Sequence, residues 1–354
     1  MPDEPLPEPS FSCPLPLSAP ATIQLAHGSG GRLANDLIAR LFVEAFDNPM
    51  LRRQDDQATV EIDGLRLSFS TDSFVVDPLF FPGGDIGDLA VNGTVNDLSM
   101  NGARPLFLSA GFIIEEGLPI ADLARVVQSM RKAAAAAGVQ IVTGDTKVVN
   151  RGKGDKLFIN TAGIGVISHP YDIGVDRLRP GDRVLISGPL GNHGLAVLSR
   201  REGLAFESPI VSDTAPLNGL VAALVAGVGG ALHAMRDPTR GGLAATLNEF
   251  ARASRVGIRL VGAQVPIDPP VAGACELLGL DPLYVANEGK LTAVVSAEAA
   301  DRALALMRAH PLGARAAVIG EVHADRPGEV TLRTVLGTER IVDMPVGEQL
   351  PRIC

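Results

Sequence analysis

Residues 106–143 read LFLSAGFIIEEGLPIADLARVVQSMRKAAAAAGVQIVT. Leu106 to Ile114 is a strand-like apolar run, Pro119 stands where a helix begins, Gly138 where it ends, and Val139 to Thr143 returns to a strand pattern. Strand, helix and strand in one short stretch predict a mixed α/β fold. Working outward, a helix is expected over 86–101 and strands where Leu65, Leu67 and Phe69 alternate and over 157–167. Further upstream, Leu33, Leu37, Leu41 and Ala45 fall at helical spacing behind the glycine-rich turn His27-Gly28-Ser29-Gly30-Gly31.

The stretch Ser168 to Asp182, with two prolines and alternating charges, reads as a linker to a second half of similar size and grammar. There, a strand at Val184–Ser187 and helices at Gly191–Arg201, Thr214–Val228 and Thr239–Ser254 precede a strand, helix, strand series at Leu291–Ser296, Ala299–His310 and Ala316–His323. The expected organisation is an extension over 1–21, a first domain over 22–167, a linker over 168–182, a second domain over 183–325, and strands and a tail over 326–354. Prolines and acidic groups without a basic or long apolar stretch make residues 1–21 a disordered extension, not a signal peptide or membrane anchor.

Composition narrows the function. A formal charge of -9 repels a phosphate backbone, and with two Tyr and no Trp there is little to stack on single-stranded bases, so nucleic acid is excluded as the main partner. Cys13, Cys275 and Cys354 are too far apart for a CxxC ligand or redox pair, an odd count argues against a disulfide framework, and the expected location is the cytoplasm. Cys13 in the extension and Cys275 in the apolar run Val271 to Leu278 read as non-catalytic.

Carboxylates recur where strands or helices are expected to end: Asp55-Asp56, Asp72, Asn96-Asp97 and Gly144-Asp145-Thr146-Lys147. Hard divalent cations such as Mg²⁺ take oxygen ligands and bridge to phosphate, so acidic groups spread over several loops suit a metal–nucleotide site. The glycines Gly28, Gly30 and Gly31 let backbone N–H groups approach an anion, and Lys147 offsets charge on a phosphate. There is no GxxxxGK[ST], which excludes a P-loop. In the second half, Asp237-Pro238-Thr239-Arg240-Gly241-Gly242 can open a helix with Asp237 or Thr239 as cap, and Asn287-Glu288-Gly289-Lys290 puts Glu288 just before a strand, a usual place for a general acid or base. His27 suits a phosphate contact or a turn cap equally, and His193 reads as part of a helix start.

The segment Met344 to Cys354 is too proline-rich and polar to continue a helix or sheet, and a thiol on its last residue can enter its own chain's active site or another protein's. Taken together, His27 to Gly31, Asp77 to Gly84, Asn96-Asp97, Gly144 to Val149, Asp237 to Gly242, Ala286 to Lys290 and Pro351-Arg352-Ile353-Cys354 resemble HypE, the hydrogenase-maturation carbamoyl dehydratases of the aminoimidazole ribonucleotide synthetase-like ATP-binding superfamily. The likeness runs from about Ile23 to Cys354.

The resemblance implies two α/β domains with a flexible C-terminal tail, homodimer pairing through the amino-terminal, ATP-binding halves, and ATP held near the domain junction. It implies ATP-dependent dehydration of a carbamoyl group on Cys354 to a thiocyanate, whose cyanide becomes an iron ligand in [NiFe]-hydrogenase. HypF would deliver the carbamoyl group and a HypC–HypD complex would receive the cyano group.

Carried over by position, Asp56, Asp72, Asp97 and Asp145 match metal and nucleotide carboxylates, with Asp56 preferred to Asp55. Glu288 is expected as base and Lys147 as phosphate contact. Gly28, Ser29, Gly30, Gly31, Asn96, Asp237, Thr239, Arg240 and Asn287 are expected to hold nucleotide, phosphate or tail. The negative terminal carboxylate disfavours the Cys354 thiolate unless Arg352 compensates, and help in accepting the carbamoyl group is expected from HypF or the groove between the domains. Two other readings compete. One is a superfamily kinase or synthetase acting on a free small molecule, which has no use for the tail. The other is a maturation scaffold whose nucleotide site has lost activity.

Overall fold

The computed structural model describes residues 22–204, 209–347, 350 and 352–354. The expected extension 1–21, with Cys13, lies outside the described residues, as does Pro351.

The first half is built on strands β1 (Ala58–Ile62), β2 (Leu65–Phe74), β3 (Phe80–Phe81), β4 (Gly84–Asp85), β5 (Arg104–Glu115), β6 (Gln140–Val149) and β7 (Leu157–Val166). Five of them form one sheet in the order β1-β2-β7-β5-β6, antiparallel except for the β5–β6 pair. That parallel pair needs a crossover, which is the helix Ile120–Ala137, capped by Pro119 and stopped by Gly138 in a left-handed conformation. The helix Ile86–Ser99 starts where Asp85 accepts the Gly87 and Asp88 amides and Asp88 returns a bond to the Asp85 N–H. It is buried on nearly every side because the sheet lies on one flank and the second half on another.

Among the described residues, only one face of this sheet is covered. On the other, Phe69, Ile164 and Phe107 lie opposite one another in register and are 47%, 42% and 43% exposed. Strand β6 is an edge whose residues from Gln140 to Val148 are all exposed. It runs past Thr143, where the sequence pattern ends it, and carries Gly144 to Lys147 in mid-strand.

The second half holds β8 (Arg183–Ile186), β9 (Leu232–Arg236), β10 (Gly257–Val261), β11 (Thr292–Val295), β12 (Ala317–His323), β13 (Val330–Arg333) and β14 (Glu339–Ile341). They form a seven-stranded sheet in the order β14-β13-β10-β12-β8-β11-β9. Strands β9 and β10 and the helix Pro269–Leu278 were not anticipated from the pattern. The two strands are short and almost wholly buried, so they lack the alternation that marks a half-exposed strand. The helix expected from Thr239 begins at Gly242, because Gly241 and Gly242 both take positive φ angles and Gly241 caps without a side chain. Neither Asp237 nor Thr239 is its cap.

The halves share one core. Phe74, Ile86 and Leu89 of the first continue into Leu195, Val271 and Val285 of the second, and Leu350 and Ile353 of the tail are buried in the same cluster. Among the described residues, no helix is long and apolar enough to cross a membrane.

Candidate active site

At the junction, three carboxylates converge from three elements. Asp56 precedes β1, Asp97 sits in the last turn of the helix Ile86–Ser99, and Asp237 follows β9, and one oxygen from each lies within 4.8 Å of the others. Burial pushes all three carboxyls upward, Asp56 to about 6, and mutual repulsion raises Asp97 and Asp237 further. Asp55 turns away to Arg53 and the Val175 amide, which explains why its neighbour is the one that serves the cluster.

Glu288 is buried close by with its Oε1 unpartnered, as is Oδ2 of Asp237. Desolvation raises the Glu288 carboxyl well above its usual range, and Asp237, Asp72 and Asp213 add to that. Buried carboxylate oxygens without donors are costly, and a hard cation supplies what they lack. The donor set therefore fits Mg²⁺: Asp56, Asp97 and Asp237 would hold it, and it would offset their charge and that of a bound polyphosphate. A cleft of about 660 Å³ opens beside the cluster, with Asn35, Arg53, Asp56, Arg236, Asp237 and Arg240 among its walls.

The loop bearing Glu288 is bent rather than extended. Its curvature depends on Gly289, where a Cβ would come within 1.8 Å of the Asp213 carbonyl oxygen. Lys290, on this bend, pairs with Asp213 at 2.8 Å, and Asp213 Oδ1 accepts the Glu288 N–H.

The tail points inward. Ile353 is 5% exposed, and only about 20 Å³ remains among Ser29, Arg240, Tyr284, Pro345, Leu350 and Ile353, room for a single water at most. The negative charge at Cys354 is the largest influence on the Arg240 guanidinium and holds its proton more firmly, with Asp72, Glu288 and Asp97 adding to it. Arg240 thus bridges the end of the tail and the carboxylates. Arg352 is turned to Asp155 and the Val75 carbonyl.

Several expected residues serve the architecture. Both amide hydrogens of Asn96 are spent on the Ala215 and Glu288 carbonyls, and its Oδ1 accepts the Leu217 N–H. Asn287 likewise gives its hydrogens to the Pro238 and Val285 carbonyls and accepts from Gly191. These amides clasp the loops that carry Asp237 and Glu288, and neither has an N–H left for phosphate.

The glycine-rich turn lies over the tail. The Arg32 amide that it exposes donates to the Pro345 carbonyl, Gly30 takes a positive φ against the backbone of Arg240, and Arg240 Nη1 donates to Gly28. Ser29 donates to Ala26, and His27 accepts the Gln24 N–H as a turn cap. Thr239 shapes the loop after Asp237, its N–H bonded to the Asp237 carbonyl and its own carbonyl to Gly242.

Asp72, on β2, faces Arg240. Asp145 and Lys147 do not join the group. They pair with each other at 2.7 Å on the β6 edge, each with a side chain 69% exposed.

Sequence reasoning missed three residues. Arg236 spans Asp56 and Glu249, both at 2.5 Å, and braces the cluster. Arg201 donates to the Asp77 and Arg352 carbonyls, and His193, buried in the first turn of the helix Asn192–Glu202, bonds the Ile353 carbonyl at 2.6 Å. A lone Arg or His in an ordinary helical or strand context carries no spacing signal. Only the fold brings Arg236 to the carboxylates and Arg201 and His193 to the tail.

Known proteins resemble this chain closely. Residues 54–167 match the family model for the N-terminal domain of AIR synthase related protein, and residues 179–333 match that for its C-terminal domain. Carbamoyl dehydratase HypE of Rhizobium leguminosarum bv. viciae is 58% identical over 332 residues, covering 94% of this chain and 95% of the relative. A crystal structure of a HypE–HypF complex matches with a TM-score of 0.84 at 51% identity, over 87% of this chain and 99% of the other. A crystal structure of HypE in complex with ATP matches with a TM-score of 0.80 at 54% identity, over 94% and 100%.

Proposed function

The chain belongs to the HypE carbamoyl dehydratases within the AIR synthase related family, and from that membership we propose that its substrate is a carbamoyl group borne on its own Cys354. The protein is an ATP-dependent carbamoyl dehydratase acting in hydrogenase maturation. The observation that carries the self-substrate reading is the junction itself: Ile353 of the tail and Arg240 line one small cavity, and the charges of Cys354, Asp72, Glu288 and Asp97 all act on Arg240.

In balance, the S-carbamoyl group and ATP give an S-cyano group, ADP and phosphate, with one oxygen leaving the carbamoyl carbon. ATP, when bound, supplies the phosphoryl group that makes that oxygen a leaving group. The chain supplies the rest. Glu288, made strongly basic by burial, takes the nitrogen proton as the triple bond forms, and Arg240 neutralises charge between the tail and the carboxylates. Asp56, Asp97 and Asp237 would hold the cation, and the snug packing over Ile353 keeps water from a competing hydrolysis.

HypF delivers the carbamoyl group, in keeping with the relative solved as a HypE–HypF complex, and a HypC–HypD complex receives the cyano group. Residues 22–167 form the nucleotide-binding and dimerisation domain, residues 183–325 the second domain, and 326–354 the closing strands and a tail that moves outward to meet its partners. A homodimer forms on the open face of the first sheet, where Phe69, Phe107 and Ile164 line up. Asp145 and Lys147, beside that face, would reach the site of the other copy, with Lys147 meeting phosphate. The location is cytoplasmic, argued from the cysteine spacing.

The test is mass spectrometry of the C-terminal peptide after incubation with HypF, its carbamoyl donor and Mg-ATP. A gain of the carbamoyl mass followed by loss of water is expected. An unmodified Cys354, with dehydration occurring on a free small molecule, would overturn the reading.

A further inference from the structure

Two successive carbonyls and the terminal carboxylate at the end of the tail are each held by a different group. Arg352 O accepts the Asp77 N–H at 3.2 Å and Arg201 Nη2 at 2.6 Å, Ile353 O accepts His193 Nε2 at 2.6 Å, and Cys354 O accepts the Val75 N–H at 2.9 Å. The Arg352 guanidinium is tied to Asp155 and to Val75 O, and the Ile353 side chain is seated in the core that joins the two domains. Arg352 also adopts a φ of +53, a left-handed conformation that a non-glycine residue keeps only where its surroundings over-determine it.

The imidazole is set for this task. A carbonyl cannot donate, so Nε2 carries the hydrogen toward Ile353. In the neutral ring Nδ1 is then the acceptor, and the Ser212 hydroxyl donates to it at 2.8 Å. Ser212 in turn is anchored to the first domain, its N–H bonded to the Pro82 carbonyl at 2.8 Å. His193 packs edge-on against Phe81, with ring centroids 5.4 Å apart. Arg201 rises from the same helix as His193, Asn192–Glu202, so both contacts refer the tail to one rigid element.

We propose that His193 and Arg201 are positioning residues that fix the register of Arg352, Ile353 and Cys354 for the dehydration step while taking no part in loading of the carbamoyl group. The inference rests on the reading of Cys354 as the carrier. Loading takes place with the tail outward, where these oxygens have left their clamps. Dehydration needs the carbamoyl oxygen and nitrogen aimed within a few tenths of an ångström, and a shift of about 1 Å in such a geometry costs on the order of 100-fold in rate.

The full-length protein is compared as wild type, His193→Leu, His193→Gln and Arg201→Met. Carbamoyl loading of Cys354, single-turnover dehydration with Mg-ATP, and alkylation of Cys354 by iodoacetamide are each read by mass of the C-terminal peptide. His193→Leu and Arg201→Met are expected to load normally, to dehydrate roughly 10- to 100-fold slower and to alkylate faster. His193→Gln, whose amide N–H reaches where Nε2 stood, is expected to recover much of the rate.

Equal dehydration rates in wild type, His193→Leu and Arg201→Met would overturn the proposal. So would a loss of loading that matches the loss of dehydration in all three variants. A wild type that never gains the carbamoyl mass would instead sink the carrier reading. Should His193→Leu fail to fold, Arg201→Met and His193→Gln still decide between the outcomes.

Discussion

Asp97→Asn should make the metal-free protein more stable while abolishing its chemistry. Two unit charges 4.8 Å apart repel by about 3.5 kcal/mol at an effective dielectric of about 20, and Asp97 takes part in two of the three such pairs with Asp56 and Asp237. Wild type escapes part of this by holding protons that the unfolded chain releases, so the expected gain is smaller, about 2–3 kcal/mol at pH 8 in EDTA. For a domain of this size that is a rise in Tm of roughly 4–10 °C.

The asparagine keeps an acceptor for the Ser70 hydroxyl, which lies 3.0 Å from Asp97 Oδ2, and its new amide hydrogens have the neighbouring Asp56 and Asp237 carboxylates as acceptors. The sign with pH follows from proton uptake. The folded carboxyl titrates well above 3.8, so the native state binds more protons than the unfolded one over that interval, and wild-type stability falls as pH rises through it. The variant lacks that fall, so its advantage should vanish near pH 4 and be greatest at pH 8. Mg-ATP should narrow the gap, because wild type gains about 2.7 kcal/mol at 100 times its Kd and the variant, short of a ligand, gains less. Thermal melts at pH 4.5 and 8, with EDTA or Mg-ATP, test the reasoning. A variant less stable than wild type at pH 8 in EDTA, or a difference independent of pH, would refute it.

Asp88, pushed to about 7 chiefly by burial and next by the charge of Asp85, destabilises the fold once ionised. Its contribution is lost as pH rises from about 4 to 7, so Asp88→Asn should gain on the order of 1–2 kcal/mol at pH 8.5 and nothing at pH 4, measured by urea unfolding. Lys147→Met and Glu288→Gln should each abolish dehydration. If Lys147 serves the site of the other copy, mixing the two variants through denaturation and refolding should restore activity that neither shows alone, whereas no restoration in mixed dimers would place Lys147 at its own chain's site or at none.

How far the residue pattern carried depended on whether a segment's burial leaves a period behind. The helix Ile120–Ala137 has one buried side and clear caps, and its limits follow directly from Pro119 and Gly138. Strands β9 and β10 are almost wholly buried, so they offer neither a polar alternation nor a length to tell them from helix. The carboxylates were visible as acidic residues beside small polar ones, yet the same grammar describes Asp97 and Asp145. What separates them is burial, which the chain settles only once its sheets have formed.

The amides make the same point from the other side. Asn96 and Asn287 stand beside Asp97 and Glu288 in the most distinctive motifs of the chain, so they look like ligands as much as their neighbours do. In the fold their donors are exhausted on backbone carbonyls, whereas Asp237 Oδ2 and Glu288 Oε1 are buried with nothing to accept from. A saturated amide adds rigidity and can be nearly neutral to function through any group of equal bonding. An unsaturated buried carboxylate costs the fold free energy that only a bound cation or a transferred proton returns. Unequal satisfaction within one motif therefore divides it into the part that holds the loops and the part that does the chemistry. Residues such as His193 and Arg201, which belong to neither motif, act on the reaction only through the tail they hold.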